Sequence, residues 1–370
     1  PVILTCDLTQ LTLDGSASSQ GSNYQVSWTT AGGNIVSNPS GNYAIDINAP
    51  GKYTLKLINT TNGCDNSFTV DVKQDIDKPL ADAGNTVLLT CKETDLTLNG
   101  NGSSTGADFI YDWTTKNGFI VTGKTGLTPT VNQPGWYYIL VKDKTNGCTN
   151  LDSVLVNQDI VKPIAAAASP EMLTCAVSVV PVSATGSSTG STFSYDWSTV
   201  SGSIQGTNNG FTVNATSIGS YTVTVTNSTN GCTQTATVVV NEDKEKPVAK
   251  AGTDLILNCQ QTTQLLDGSG SSVGPEFTYL WTTLDGNIIS GANTLNPTID
   301  QAGTYTLTVT SSKNGCSSSD DVKISLSEDF PVAVVVDPEV ITCVKLSVLI
   351  NGLGSSTGPE FTYQWSTTTG

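Results

Sequence analysis

"GTYTLTVTSSKNGC", residues 303 to 316, places a large apolar residue and a threonine at alternate positions. Tyr305, Leu307 and Val309 share one face, and Thr304, Thr306 and Thr308 the other. Side chains of a strand point alternately to opposite faces, so this period of two marks a half-buried strand. Asn314-Gly315 then reads as a type I′ hairpin turn, whose two central residues need positive φ. "DVKISL", 321 to 326, is the returning strand. Upstream, "TQLLDGSGSS" (263 to 272) gives a strand and a Gly/Ser turn, and "FTYLWTT" (277 to 283) puts Phe277, Tyr279 and Trp281 on one face. Short alternating strands broken every 8 to 12 residues, with no helical stripe, predict an antiparallel β-sandwich.

The same stretch recurs along the chain. "LTC" or a near variant falls at Cys6, Cys91, Cys175, Cys259 and Cys343, in steps of 85, 84, 84 and 84. Trp28, Trp113, Trp197, Trp281 and Trp365 keep the same steps, and "NGC" returns at Cys64, Cys148, Cys232 and Cys316. Gly-x-Tyr places Tyr53, Tyr137, Tyr221 and Tyr305. Four markers in register establish an internal repeat. Acidic, proline-ended joints, "QDIDKP", "QDIVKP", "EDKEKP" and "SEDFP", divide the chain into expected domains at 1–76, 77–160, 161–244, 245–329 and 330–370. The joints are short, so neighbours are expected to abut. The first repeat lacks the "KPLADAG"-type lead and the fifth stops before its Gly-x-Tyr strand, so the 370 residues read as a window on a longer array.

Composition removes most chemistry. The chain carries 32 Asp and Glu against 16 basic residues, every one a lysine, and no histidine. Without histidine there is no imidazole base or metal ligand, and no Ser-His-Asp or Cys-His pair. Without arginine there is no bidentate phosphate clamp, and a net charge of −16 repels nucleic acid. An enzyme site is not expected. No run of 18 apolar residues is present, so no membrane insertion is expected of this segment. The opening "PVILTC" shows no leader, but it lies inside a repeat and says nothing about export. Nine cysteines without a CxxC pair point away from zinc and towards disulfides in an oxidising compartment.

"LDGSGSSVGPEFTYLWTT" (266 to 283) followed by "AGTYTLTVTSSKNGC" (302 to 316) resembles a PKD-like or related immunoglobulin-like repeat. The full "LTC…YxW…GxYxxxVxNxxNGC" pattern is similar to repeats of giant cell-surface proteins of Bacteroidota, the SprB-type gliding adhesins among them. The resemblance covers every repeat. It implies a tandem array of antiparallel immunoglobulin-like or PKD-like sandwiches, export to the cell surface, and a role in attachment or gliding. Most repeats lack the Asp-Gly that many PKD modules carry after the tryptophan strand; Asp285-Gly286 is the exception.

Each singled-out residue has a bland reading beside a functional one. The five tryptophans and the tyrosines Tyr53, Tyr137, Tyr221 and Tyr305 are expected in the core, the tyrosine hydroxyls bonding back across a corner. Trp136, in "PGWYYIL", is unique to the second repeat and is the candidate carbohydrate contact; inert exposure is the plain alternative. Asp75, Asp77 and Asp82 are the candidate calcium ligands at a joint, although "QDIVKP" offers a single acid, which fits solvated charge instead. Asn59, Asn101, Asn214 and Asn227 match N-x-[ST] and matter only in a host that glycosylates it. Asp152-Ser153-Val154 resembles the O-glycosylation sequence of Bacteroidota.

All nine cysteines are expected to be structural. Three pairings fit: within a repeat (Cys6 to Cys64), across a joint (Cys64 to Cys91), or staggered, with each "LTC" bonded to the next repeat's "NGC" (Cys6 to Cys148, Cys91 to Cys232, Cys175 to Cys316). In an immunoglobulin-like strand order the two motifs of one repeat lie at opposite poles, about 30 Å apart. A disulfide needs Cα atoms within about 7 Å, and stacked repeats bring opposite poles together, which favours the stagger. Modules that close their own bridges favour the first pairing, and both stay open. Expected partners are neighbouring repeats, surface polysaccharide or other cell-surface proteins. The leading functional expectation is a disulfide-stabilised extracellular filament or stalk of an adhesin; the alternative is carbohydrate-binding or spacer modules of a secreted polysaccharide-degrading enzyme.

Overall fold

The computed structural model describes residues 2–368, and no helix occurs among them. The second repeat shows the pattern most fully. Its tyrosine strand, Gly135–Asp143, pairs antiparallel with the last strand, Thr149–Asp159, on one side and with the tryptophan strand, Phe109–Lys116, on the other. A short first strand, Val87–Thr90, adds to the outer edge of the last strand. Facing this sheet is a smaller one built from Leu96–Thr97, Thr130–Val131 and Ile120–Thr122. Between them lie Leu89, Leu98, Trp113, Val131, Tyr137, Ile139, Val141, Val154 and Val156, all buried. The alternation read from the sequence is thus the inside and outside of a sandwich.

The fourth repeat repeats this arrangement. Leu255–Leu257, Ser317–Leu326, Gly303–Ser311 and Phe277–Thr283 form one sheet, and Gln264–Leu265, Thr298–Ile299 and Ile288–Ser290 the other. In the first repeat Val2–Thr5, Asp65–Asp75, Gly51–Asn59 and Tyr24–Ala31 form the larger sheet, and Leu11–Asp14 pairs with Ala44–Ile47 opposite. The chain groups into two compact units, and the third repeat contributes to both. One unit is Pro1–Ala166 with Ala184–Asp196 and Val223–Ala236; the other is Ala167–Ser183, Trp197–Thr222 and Thr237–Gly370. Within the second unit, Leu173–Thr174 pairs with Glu242–Asp243, and Val180–Ser183, Thr212–Ala215 and Ile204–Gln205 form a sheet. The chain is a tandem array of immunoglobulin-like β-sandwiches.

One pairing departs from the antiparallel expectation. The first strand runs parallel to the last, Val87 opposite Val156 and Thr90 opposite Asp159, and the first, third and fourth repeats do the same. In the second repeat the lead segment is fixed before it reaches this strand. Leu80 and Asp82 donate their N–H groups to the Oγ atoms of Ser104 and Ser103, both at 2.9 Å, so the lead is held along the Gly/Ser turn. A four-residue alternation such as "VLLT" carries no sign of strand direction.

Core anchors recur in every complete repeat. Trp113 donates its indole N–H to the Gly126 carbonyl at 2.9 Å, as Trp197 does to Gly210 and Trp281 to Thr294, both at 3.0 Å. Tyr137 Oη accepts from Phe119 N–H at 2.9 Å and donates to the Gln133 carbonyl at 2.7 Å. Tyr53, Tyr221 and Tyr305 make the same two bonds in their own repeats. These satisfied hydroxyls permit full burial of large rings. Gly118 is required beside Tyr137, because a Cβ there would lie 2.4 Å from the hydroxyl oxygen. Trp365 is the exception: it is 56% exposed, not core. Residues 330–370 hold no Gly-x-Tyr strand for its ring to pack against, as Ile139 and Tyr137 pack around Trp113.

Candidate functional site: the clasp between repeats

The Asn-Gly-Cys loop does not form the two-residue turn that its sequence suggests. In the second repeat the tyrosine strand ends at Asp143 and the last strand begins at Thr149, leaving a five-residue loop. Asp143 N–H donates to the Cys148 carbonyl and Gly147 N–H to the Asp143 carbonyl, at 2.9 and 2.8 Å. Gly147 has φ +73°, but Asn146 does not have positive φ, whereas a type I′ turn needs it at both. The Asn146 Oδ1 accepts the Cys148 N–H at 2.9 Å, which turns its side chain back into the loop.

That orientation leaves the amide nitrogen facing the joint. Asn146, only 2% exposed, donates from Nδ2 to Asp75 Oδ1 at 2.9 Å and to the Asp77 carbonyl at 3.0 Å. Its own carbonyl accepts N–H bonds from Cys6 at 2.9 Å and Asp7 at 3.3 Å. Cys6 is bonded to Cys148, with Cα atoms 4.9 Å apart, and Lys142 pairs with Asp7 at 2.9 Å. One asparagine thereby ties the first repeat's last strand, the joint and the bridged cysteine together. Buried side-chain amides need such full satisfaction, and no buried side-chain nitrogen or oxygen among the described residues lacks a partner.

The clasp is built three times. Asn230 donates to Asp159 Oδ1 at 2.9 Å and the Val161 carbonyl at 3.0 Å, beside the Cys91–Cys232 bridge. Asn314 donates to Asp243 Oδ1 at 2.8 Å and the Glu245 carbonyl at 2.9 Å, beside Cys175–Cys316. The bond from Asn314, and then the one from Lys313 at 3.0 Å, hold the Asp243 carboxyl below the usual carboxylate range. Asp243 in turn raises the Lys313 ammonium. Among the pairings left open by the sequence, the structure contains the staggered one.

Other residues singled out from the sequence fare differently. Cys64, Cys259 and Cys343, named with the other bridge cysteines, are free, exposed thiols here, as the staggered pairing leaves them within these residues. Asp75, Asp77 and Asp82 do not converge: Asp75 faces Asn146, Asp82 Oδ1 accepts Gly84 N–H at 2.8 Å, and no group of three metal-ligating side chains occurs among the described residues. Trp136 is 45% exposed on the outer face of its sheet, opposite Leu155 and Lys116 and on the same side as Tyr138 and Leu140. The asparagines of the clasp escaped the sequence reading, which took each Asn-Gly only as a turn. The available signal was an Asn and an Asp recurring 71 residues apart, Asn146 with Asp75, Asn230 with Asp159 and Asn314 with Asp243.

No family model matches the chain. Over 260 residues it is 30% identical to the mouse (Mus musculus) "Dyslexia-associated protein KIAA0319-like protein", covering 63% of this chain and 25% of that protein. The chain therefore spans about a quarter of that relative's length. Solved structures with similarity include Sidekick-1 immunoglobulin domains 1–5, with 12% identity and a TM-score of 0.23 over 88% of this chain and 78% of that one. The eight N-terminal immunoglobulin domains of Down Syndrome Cell Adhesion Molecule share 12% identity, with a TM-score of 0.29 over 82% of this chain and 45% of that one. The titin fragment I67–I69 (E-to-A variant) shares 12% identity, with a TM-score of 0.29 over 67% of this chain and 98% of that one. Scores this low carry no weight for the fold, which rests on the strand order above. Three disulfides in tandem immunoglobulin-like repeats fit an extracellular segment. No helix among the described residues is long and apolar enough to cross a membrane.

Proposed function

We propose that the chain is part of an extracellular stalk of a surface adhesin, made of immunoglobulin-like domains at 1–76, 77–160, 161–244, 245–329 and 330–370. The observation that carries this reading is the clasp: a disulfide and a buried asparagine lock three of the four joints, a provision suited to a protein that holds position outside the cell. A bacterial origin and a part in attachment or gliding are supported by the resemblance of the repeat pattern. Partners on this reading are neighbouring repeats and other cell-surface proteins. Antibody labelling of intact cells, compared with lysed cells, tests it. Labelling of intact cells, with poorer surface attachment when the repeats are deleted, is expected; labelling only after lysis overturns it.

A second reading is favoured by one feature, the half-exposed indole of Trp136 beside Tyr138 on an outward sheet face. Aromatic faces of this kind stack on sugar rings, so the repeats would be carbohydrate-binding or spacer modules of a secreted polysaccharide-degrading protein. Pull-down on cellulose, chitin and agarose tests it: retention lost in Trp136→Ala supports it, and no retention of the parent chain removes it.

A further inference from the structure

The stagger has a consequence for force. Each bridge spans a whole repeat and more, with sequence separations of 142, 141 and 141 residues. Successive bridges also overlap, since Cys91 lies inside the Cys6–Cys148 loop and Cys175 inside the Cys91–Cys232 loop. A pull applied at both ends follows the shortest covalent path. That path enters at Cys6, crosses to Cys148, follows the backbone to Cys175, and crosses to Cys316.

Only 27 residue steps of backbone, from Cys148 to Cys175, then lie between Cys6 and Cys316. Thr149–Asp159 and Leu173–Thr174 are strands, and no turn or helix occurs between them. Extended chain reaches about 3.3–3.6 Å per residue, so this stretch has a limit near 95 Å. Freed of the bridges, the chain from Cys6 to Cys316 would reach roughly 1,100 Å at the same rise. The tryptophan and tyrosine strands of the second and third repeats lie off the path, including the buried Trp113, Tyr137, Trp197 and Tyr221. Cys91–Cys232, with the equally turn-free runs 65–90 and 233–258 on either side, lays down a second path interleaved with the first.

We propose that the staggered bridges make the chain a covalent cable of low extensibility, in which tension bypasses the tryptophan and tyrosine strands of the sandwiches and runs through the last strand of one repeat, the joint, and the first strand of the next. The clasp asparagines seat the bridged loops, and the disulfides carry the tension. This rests on the bridge pattern and not on the adhesive reading; failure of surface labelling would remove the latter and leave the cable standing.

Single-molecule pulling on the whole chain through its two ends tests the proposal, with Cys64, Cys259 and Cys343 changed to serine to prevent exchange. At about 3.5 Å per residue, the oxidised chain is expected to stop at a contour of about 300 Å, and the chain reduced with a phosphine at about 1,300 Å, a fourfold gain. In this variant, bridges closed within single repeats (Cys91–Cys148 and Cys175–Cys232) would instead stop it at about 900 Å. Cys148→Ser in the oxidised chain is expected to lengthen the limit about twofold, to about 700 Å. An oxidised limit near 900 or 1,300 Å, or one that Cys148→Ser leaves unchanged, overturns the proposal. These limits depend on covalent connectivity alone, so a variant that folds poorly still gives a decisive reading.

Discussion

The loops Asn62-Gly63-Cys64 and Asn146-Gly147-Cys148 have the same sequence and almost the same backbone. Gly63 and Gly147 have φ +74° and +73°, and the cysteine N–H donates to the asparagine Oδ1 at 3.0 and 2.9 Å. Yet Cys64 is an exposed free thiol, whereas Cys148 is fully buried and bonded to Cys6. The loop's shape is therefore a local property. Its burial and its covalent bond come from the repeat that abuts it.

The sharpest way to break this comparison is to remove the sulfur from each loop. Cys148→Ser is expected to lower stability by about 2–5 kcal/mol in denaturant unfolding of the whole chain, as loss of a bridge closing a long loop does. Cys64→Ser should stay within about 0.5 kcal/mol, the usual range for an exposed position. Equal effects would mean that Cys148 owes nothing to its neighbour.

Glycine gives the next contrast. A Cβ at Gly315 would lie 2.6 Å from the Cβ of Ala176, while nothing stands within 4 Å of one at Gly63. Both sites have positive φ, so alanine at either costs about 1 kcal/mol of backbone strain. Gly315→Ala is expected to add about 1–3 kcal/mol of overpacking, read as a larger fall in unfolding midpoint than for Gly63→Ala.

The asparagines follow. Asn146→Ala leaves the Asp77 carbonyl and Asp75 without their donor and should cost about 1–3 kcal/mol. Asn62→Ala loses only the bond to its own loop and should cost less than about 1 kcal/mol. Unfolding curves of the two variants, taken with the bridges intact, check the difference.

Acid gives the smallest effect. The Asp243 carboxyl is held low in the folded chain, chiefly by Asn314. A lowered carboxyl stabilises the fold above the unfolded pKa of about 3.9, and that contribution is lost as pH falls through the lower folded value. Hydrogen exchange of the Cys316 N–H should therefore quicken below about pH 4, and Asp243→Asn should blunt the change. An acid response equally strong in that variant would place its source elsewhere.

Much of the fold was legible because burial in a strand is periodic. Trp113, Tyr137, Ile139 and Val141 alternate inward as their spacing predicts. Trp365 has the same spacing but lies exposed, because alternation marks a buried face only when a facing strand covers it. The turn was misread for a related reason. Asn-Gly tolerates positive φ, but Asn146 turns its amide to the joint and its Oδ1 to the Cys148 N–H, contacts that a two-residue turn does not provide. Of the candidate site, the sequence displayed the cysteines and the joint acids, and it hid their relation.

By itself the sequence determined the 84-residue period, the sandwich class, the tryptophan and tyrosine anchors of the first four repeats, and the exclusion of histidine and arginine chemistry. These follow from composition and from alternation, which are local. Only the tertiary structure decided which cysteines meet, that the first strand runs parallel to the last, and that Asn146, Asn230 and Asn314 close the joints. Those are contacts between residues from 69 to 142 positions apart, and their partners are set by how neighbouring repeats pack, which no short window of sequence contains.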